Sequence, residues 1–456
     1  MAQLVHGMIG MGWVLGVVAL PMAAQGMALP AADPVGIARG GAQVAYGYSL
    51  EAAATNPALL ASLKEKGGVY VAAGLELAST QQSLESNQKT FFSTDRSRAL
   101  GAFGLATRIS PAWTLGLKLD EPFLRHGTLL DGAPSRFLGD GIDLSAHRLE
   151  GQAAWVLSPN LSLGIGVGVA RLSYESTSVM RLGVPLIDPT LPASGANPVN
   201  DLAEQRVGQS GNKVVPSYSL GLRWALSPRW TFGFAHQSGL KGDLDLKAGF
   251  RDANLGLYAN DGLSTASLGA GPRAATLLSS SKPIAGNPTL ELPSQTTVGM
   301  RHRVTPMVTW EADLQWTSSN LRVPGFAKVE TPSGTVSAPA ELPRGRGHLG
   351  LKTSVEVDLG KFWTLRGGLS LAQGGTEESS VEPLLGGTPT SSFSFGVGYK
   401  VWGGELNFGY QYRQSQDQDT RNLDGVWSAT GFRGAGTRVR MEGMGHLLAI
   451  GFKKMF

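Results

Sequence analysis

From residue 67 onward the chain repeats one arrangement, a stretch of alternating apolar and small or polar residues closed by a turn. Trp113-Thr-Leu-Gly-Leu-Lys-Leu119 puts its odd positions on an apolar face and Thr114, Gly116 and Lys118 on the other. Leu161-Ser-Leu-Gly-Ile-Gly-Val-Gly-Val169 opposes its aliphatic face with Ser162, Gly164, Gly166 and Gly168. Phe393–Lys400 and Leu406–Arg413 follow the same scheme. A period of two means β-strands with one apolar face. Short turns recur before many of these strands: Ser110-Pro-Ala-Trp, Ser158-Pro-Asn-Leu, Ser227-Pro-Arg-Trp, Thr305-Pro-Met-Val, Leu359-Gly-Lys-Phe and Trp402-Gly-Gly404. Ser-Pro initiates a tight turn, and Pro cannot continue a central ladder. Long connections lie between them, at roughly 81–96, 125–146, 179–214, 247–292, 320–342, 373–389 and 418–443. Six short turns alternating with seven long loops predict fourteen strands.

That arithmetic separates a membrane barrel from a soluble sandwich or propeller. Outer-membrane barrels have even strand numbers, with short turns on the periplasmic side and long loops outside. Trp113, Trp155, Trp224, Trp230, Trp310, Trp363 and Trp402 all fall beside the short turns, as an interfacial aromatic girdle requires. Charged residues are only 16%, against roughly 25% in soluble proteins, yet mean hydropathy is −0.03. A barrel reconciles these values by averaging a lipid face with a small or polar interior, much of it supplied by 62 glycines. Beyond residue 26 no run of 18 apolar residues suggests a spanning helix. The net charge of +4 is spread along the chain, which is no nucleic-acid footprint. The absence of Cys excludes disulfides and thiolate chemistry. At the C-terminus, Leu448, Ile450, Phe452 and Phe456 share a face interrupted by Lys454, whose stem can snorkel near the interface. This end resembles the closing-strand signature read by the outer-membrane barrel assembly machinery, an expected partner.

Residues 12–23 form an apolar stretch of signal-peptide length, followed by small residues that suit cleavage near 24–28. His6 is the only ionisable side chain before it, and a buried helix is the competing reading. The expected organisation is a signal peptide at 1–26, an N-terminal hatch or plug at 27–66, and a transmembrane barrel at 67–456 in the outer membrane of a Gram-negative cell. Residues before 67 do not alternate; Gly36–Ala45 and Leu50–Leu63 are rich in small side chains and suit a segment folded into the lumen.

Arg39-Gly-Gly-Ala followed by Ala54-Thr-Asn-Pro-Ala-Leu-Leu60 resembles the N-terminal hatch of the FadL-type long-chain fatty acid and aromatic hydrocarbon transporters, including the toluene transporters. Trp230–Gly242, Leu292–Arg301 and Trp363–Ser370 are similar to later strands of that family. The resemblance implies an all-β, fourteen-stranded antiparallel transmembrane barrel plugged by its hatch, with Asn56, Pro57 and Ala58 as gating residues. It also implies a lateral opening at an inward-kinked third strand, here Pro122 and Phe123. The family often has Pro-Phe-Gly-Leu at that place, whereas this chain reads Pro122-Phe-Leu-Arg125, which leaves the position and width of a gap open.

By parity, Lys118, Asp120, Arg223, Arg301, Glu311, Asp313, Arg366, Lys400 and Arg413 face the lumen, where charges avoid a lipid-side cost of about 2–4 kcal/mol. Arg223 and Arg366 are candidates to meet a fatty carboxylate while apolar groups hold its tail. Gly164, Gly166 and Gly168 read as a lumen face that the hatch or ligand approaches closely, rather than a nucleotide loop, since no helix follows. Val184-Pro-Leu-Ile187, Leu191, Leu255, Leu257, Tyr258, Leu277 and Leu278 suit a first capture site on outer loops, or self-packing of those loops. The seven His residues show no metal spacing, and no nucleophile elbow occurs. The expectation is passive uptake of hydrophobic compounds, long-chain fatty acids first, by a monomer in contact with outer-membrane lipid, without metal or cofactor. Aromatic hydrocarbons are the alternative cargo. A general porin is disfavoured by the plug, and a barrel enzyme such as a lipase is the reading from another class.

Overall fold

A computed structural model of the chain describes residues 33–47, 50–84, 90–94, 97–129, 141–183, 202–251, 282–284, 288–324, 328–331, 334–337, 345–375, 389–420 and 439–456. The proposed signal peptide lies outside these residues. Fourteen antiparallel strands follow in chain order: β1 Gly67–Leu84, β2 Arg98–Arg108, β3 Trp113–Leu129, β4 Gly141–Ser158, β5 Leu161–Gly183, β6 Leu202–Ala225 and β7 Trp230–Gln237. They continue as β8 Gln295–Arg303, β9 Val308–Thr317, β10 His348–Asp358, β11 Trp363–Ala372, β12 Thr390–Val401, β13 Gly404–Thr420 and β14 Val439–Met455. Each pairs with its sequence neighbour, and β14 pairs back onto β1 from Gly68↔Met455 to Leu84↔Val439. Closure removes the free edges that a bilayer cannot hydrate. Gly67 and Phe456 exchange both backbone N–H···O bonds at 2.9 Å, so the terminal aromatic is fixed at the seam of closure.

The short turns fall where the sequence places them. Trp402 and Gly403 have φ of 52° and 69°, the left-handed pair that a two-residue hairpin turn needs. Next to these turns the Trp113 and Trp155 rings stack at 5.6 Å, and Trp230 stacks on His302 at 4.1 Å. Leu115, Leu117, Leu119, Ile165, Val167 and Val169 are exposed on the outer wall, while Thr114, Lys118 and Asp120 are buried inside. Lys454 is exposed on the outer face two residues from the chain end.

Four of the long connections, those expected at 81–96, 125–146, 179–214 and 418–443, are shorter than expected, because the strands run on. β6 begins at Leu202 and β5 ends at Gly183, inside a region read as loop. A 24-residue β6 at ~3.3 Å per residue greatly exceeds the 9–11 tilted residues that cross the bilayer. Beyond the membrane no lipid enforces an apolar face, so the alternation that marks a strand disappears while its ladder continues.

Residues 33–63 lie within the ring. Helix α1, Pro34–Ala38, is capped by Asp33, which accepts the Val35 and Gly36 N–H groups at 2.9 Å each. Two 3₁₀ turns follow, Ala52–Ala54 and Pro57–Ser62. A side chain added at Gly409, Gly396, Gly368, Gly299, Gly233, Gly221 or Gly164 would run into this segment, at Pro34, Ala38, Arg39, Val44 and Asn56–Ala58. Those glycines belong to β13, β12, β11, β8, β7, β6 and β5, so the segment is surrounded by wall. Gly164 therefore does what its pattern predicts, whereas Gly166 and Gly168 make room for Glu150, Ser219 and the adjacent β4 backbone.

Candidate functional site in the plugged lumen

The wall grips the inner segment mainly through buried polar groups. On one side, Asp313 of β9 accepts the successive N–H groups of Gln43 (2.8 Å) and Val44 (3.0 Å), and Glu311 accepts that of Ala45 (2.9 Å). Consecutive amides converging on carboxylates form an anion-binding nest, here supplied with its anions by the barrel. Arg39 completes it, with Nη2 2.5 Å from Glu311 and Nη1 3.5 Å from Glu356. Burial alone would pull the Arg39 guanidinium down, but the Glu311 and Glu356 carboxylates outweigh it and hold it charged. Tyr46, stacked 3.9 Å below Arg39, donates its hydroxyl to Glu356 at 2.7 Å. Burial, then the Glu356 charge, pushes this phenol up to about 12, so it remains a donor.

Across the lumen, Lys118 of β3 donates to the Ala54 carbonyl at 2.8 Å and Gln152 of β4 to that of Ala53 at 3.0 Å. Lys118 sits 3.2 Å from Glu150 and 3.7 Å from Asp120, and Arg148 clasps Asp120 at 2.6 and 2.9 Å. Sequence parity placed Lys118, Asp120, Glu311 and Asp313 in the lumen correctly. It did not assign Lys118, Glu311 and Asp313 to the segment they hold, because their partners there are distant in the chain.

Asn56 is fully buried where the segment meets β6. Its amide donates to the Val44 carbonyl (2.7 Å) and to the Leu222 carbonyl of the wall (3.1 Å), while its Oδ1 accepts the Ala58 N–H (3.1 Å). Pro57 is the first residue of the 3₁₀ turn, where its missing N–H costs nothing. Asn-Pro-Ala thus joins two stretches of the inner segment to the barrel.

Arg366 is differently placed from its expected role. Its Nε meets Glu356 at 2.9 Å, Nη1 meets Asn407 at 2.7 Å and Nη2 meets Glu405 at 2.9 Å. All three nitrogens are occupied by wall groups, and an incoming carboxylate would face two carboxylates already there. The guanidinium neutralises the acids around the inner segment rather than presenting charge to the lumen. Arg223 is half-buried beside Gly47, its Nε 3.4 Å from where a Cβ would stand. The structure therefore does not bring the two arginines together into one site.

The wall itself is interrupted at β3. The β2–β3 ladder runs from Arg108↔Thr114 to Phe103↔Leu119 and then stops. Among the described residues, pairing beyond it resumes at Thr94↔Thr128, on the short strand Thr90–Thr94. β2 residues 98–102 remain paired with β1 but have no partner on β3. On its other side β3 stays paired with β4, with a bulge where Glu121 and Pro122 together oppose the one residue between Ala146 and Arg148. Pro122 has no N–H to give, and the extra residue reverses the facing of the strand. Phe123 points into an apolar cluster with Leu144, Ala146, Leu172, Leu240 and Leu290. Leu124 is buried with Leu100 and Ala102 from the inner face of β2 and with Leu50 and Leu60 of the inner segment, so β3 here runs inward of β2. The break forms with Leu124 standing where a Gly was expected.

The Phe123 cluster fills the barrel interior on the long-loop side, joining β3–β6 to Leu240, Leu244, Leu246, Leu290, Leu292 and Val323. Residues from the 238–294 and 318–347 connections here pack on the wall. The capture residues proposed at 184–191, 255–258 and 277–278 lie outside the described residues. Among the described residues no cluster of His, Asp and Glu suits a metal ion.

A family model described as outer membrane protein transport protein (OMPP1/FadL/TodX) matches residues 15–456. Among solved structures the barrel is similar to a Pseudomonas aeruginosa FadL homologue at 16% identity and TM-score 0.72, covering 95% of this chain and 100% of that one. It is also similar to the P. putida toluene transporter TodX (13% identity, TM-score 0.64, covering 93% and 98%). The Ralstonia pickettii toluene transporter TbuX gives 18% identity and TM-score 0.58, with 93% and 98% covered. None of the curated proteins compared with the chain matches it in sequence. The structural likenesses establish the fold, and the family match spans nearly the whole sequence. The chain therefore belongs to the FadL/TodX family of outer-membrane transport proteins, transport channels of the Gram-negative outer membrane rather than enzymes.

Proposed function

We propose that this barrel takes up hydrophobic compounds passively, with long-chain fatty acids as its first substrate class. Cargo enters the apolar interior around Phe123, displacement of residues 33–63 opens the lumen below, and the break beside Pro122 lets cargo leave sideways. In this reading residues 33–63 are the hatch, and Asn56, Pro57 and Ala58 are its hinge on the wall. The observation that carries it is the interrupted β2–β3 ladder lying against an apolar cluster, in a barrel whose axis is plugged by a buried segment. A plug held on one side by a buried ion pair and on the other by buried hydrogen bonds disfavours free flow of small polar solutes. Arg223 remains the candidate for a fatty carboxylate.

Monoaromatic hydrocarbons are a second reading, favoured by the saturation of Arg366: a neutral ring needs no cation. The structurally similar TodX and TbuX are toluene transporters. The chain is read as a monomer that meets the assembly machinery through β14.

Uptake of labelled oleate and of toluene by cells lacking the protein, and by the same cells supplied with it, tests both readings. Oleate uptake that depends on the protein supports the first; dependence of toluene alone selects the second. Unchanged uptake of both, with small polar solutes affected instead, overturns the proposal.

A further inference from the structure

Where the β2–β3 ladder is absent, side chains bridge the break. Arg98, on the stretch of β2 that has no partner on β3, reaches past β3 to Asp143 of β4, Nη1 to Oδ1 2.7 Å. His126, on β3 above the bulge, meets the other oxygen of the same carboxylate at 3.1 Å. Lower down, His147 of β4 meets Glu121 of the bulge at 2.9 Å. Asp143 thus ties together the two strands that the backbone leaves apart. From Trp113 at the aromatic girdle, seven residues of tilted strand place the start of the break roughly 20 Å above the periplasmic interface, in the outer part of the ~25 Å apolar band.

We propose that Arg98, His126 and Asp143 form a latch that holds the lateral break closed at rest and parts to release cargo. The inference rests on the lateral-exit reading above and names the residues that control that exit.

Three features fit a moving part. The side chains of Arg98 and Asp143 are 23% and 41% exposed, so passing cargo or water reaches them, unlike the sealed Arg39–Glu311 pair at 1% and 0%. Exposed ion pairs are weak and readily exchanged, whereas a continuous ladder opens only by unfolding. Arg98 sits on β2 and its partner Asp143 on β4, so spreading the upper part of β2 from β3 breaks this contact while the β1–β2, β3–β4 and lower β2–β3 ladders stay paired.

The chain contains no cysteine, so introduced thiols are unique. In an R98C/D143C barrel, a short bis-methanethiosulfonate reagent, which forms a disulfide with each thiol and releases methanesulfinate, replaces the latch by a covalent one. Uptake of oleate and toluene is expected to fall at least tenfold on cross-linking and to recover with dithiothreitol. In A102C, the thiol lies on the inner face beside the break; adding D143N is expected to raise its labelling rate by N-ethylmaleimide several-fold. Heat-modifiable migration on gels verifies that each barrel is assembled. Full uptake through the cross-linked barrel, or an A102C labelling rate unchanged by D143N, overturns the latch. If the unmodified protein transports neither compound, the transport reading fails, and the labelling rate still decides the latch.

Discussion

Arg39 of the proposed hatch and Glu311 of the barrel wall form an ion pair of 2.5 Å with both side chains out of water. Removing one partner leaves the other as an uncompensated buried charge, which costs about 3–5 kcal/mol. Arg39→Met is therefore expected to unseat the hatch by that order while the closed wall still assembles. Pairing it with Glu311→Gln is expected to recover much of the loss, because the stranded charge goes too. Limited proteolysis of residues 33–63, beside heat-modifiable migration of the barrel, measures the two effects separately.

Asn56→Ala removes two donated bonds, to Val44 and Leu222, and the cap on the Ala58 N–H. At about 1 kcal/mol for each bond, and about 1 for the cap, the expected loss is roughly 3 kcal/mol of hatch seating. Amide exchange at Ala58 is expected to accelerate by about two orders of magnitude, with exchange in β5 and β6 unchanged. Equal acceleration in those strands would mean that Asn56 supports the wall itself.

What the sequence reveals here follows from what the bilayer imposes. Trp113–Leu119 alternates because one face meets lipid, so strand existence, strand number and the girdle are readable from one chain. The upper parts of β5 and β6 meet no lipid, and their extent is set by pairing with each other, which leaves no periodicity to read. The same limit governs the site. Asp313 is legible as an inward charge, yet its partners Gln43 and Val44 lie about 270 positions away. Arg366 reads as an available cation until Glu356, Glu405 and Asn407, from two other strands, converge on it. Only Asn56-Pro57-Ala58 signals its place locally, through a capping side chain followed by Pro and a small residue.

Asp33 links hatch seating to pH. Burial, then the Glu51 charge, raises its carboxyl from 3.8 to about 7, against the Val35 and Gly36 amides and Lys453. A raised folded value means that the seated hatch holds the proton more tightly than the released one. Its contribution is complete below about pH 4 and is lost as pH rises through about 7. The hatch is thus expected to loosen between pH 4 and 7, seen as faster proteolysis of residues 33–63. Asp33→Asn, neutral throughout, is expected to flatten that part of the profile. A profile identical to wild type would assign the pH response to other groups.

Gly164 and Gly101 offer a matched pair for testing whether glycine lines this lumen because the hatch needs the space. A Cβ at Gly164 would overlap the backbone of Pro57 and Ala58, which cannot swing aside as a side chain does. At Gly101, an exposed β2 position, a Cβ meets nothing within 4 Å. Gly164→Ala is expected to push the 3₁₀ turn Pro57–Ser62 off β5, weakening the Asn56 contacts and exposing residues 50–63 to protease. Gly101→Ala is expected to leave seating unchanged and to favour the strand slightly, since Ala restricts the unfolded chain more than Gly does. Both proteins are expected to assemble as barrels, because neither substitution removes a ladder bond. Equal hatch protection in the two would show that the glycine excess serves the wall rather than the plug.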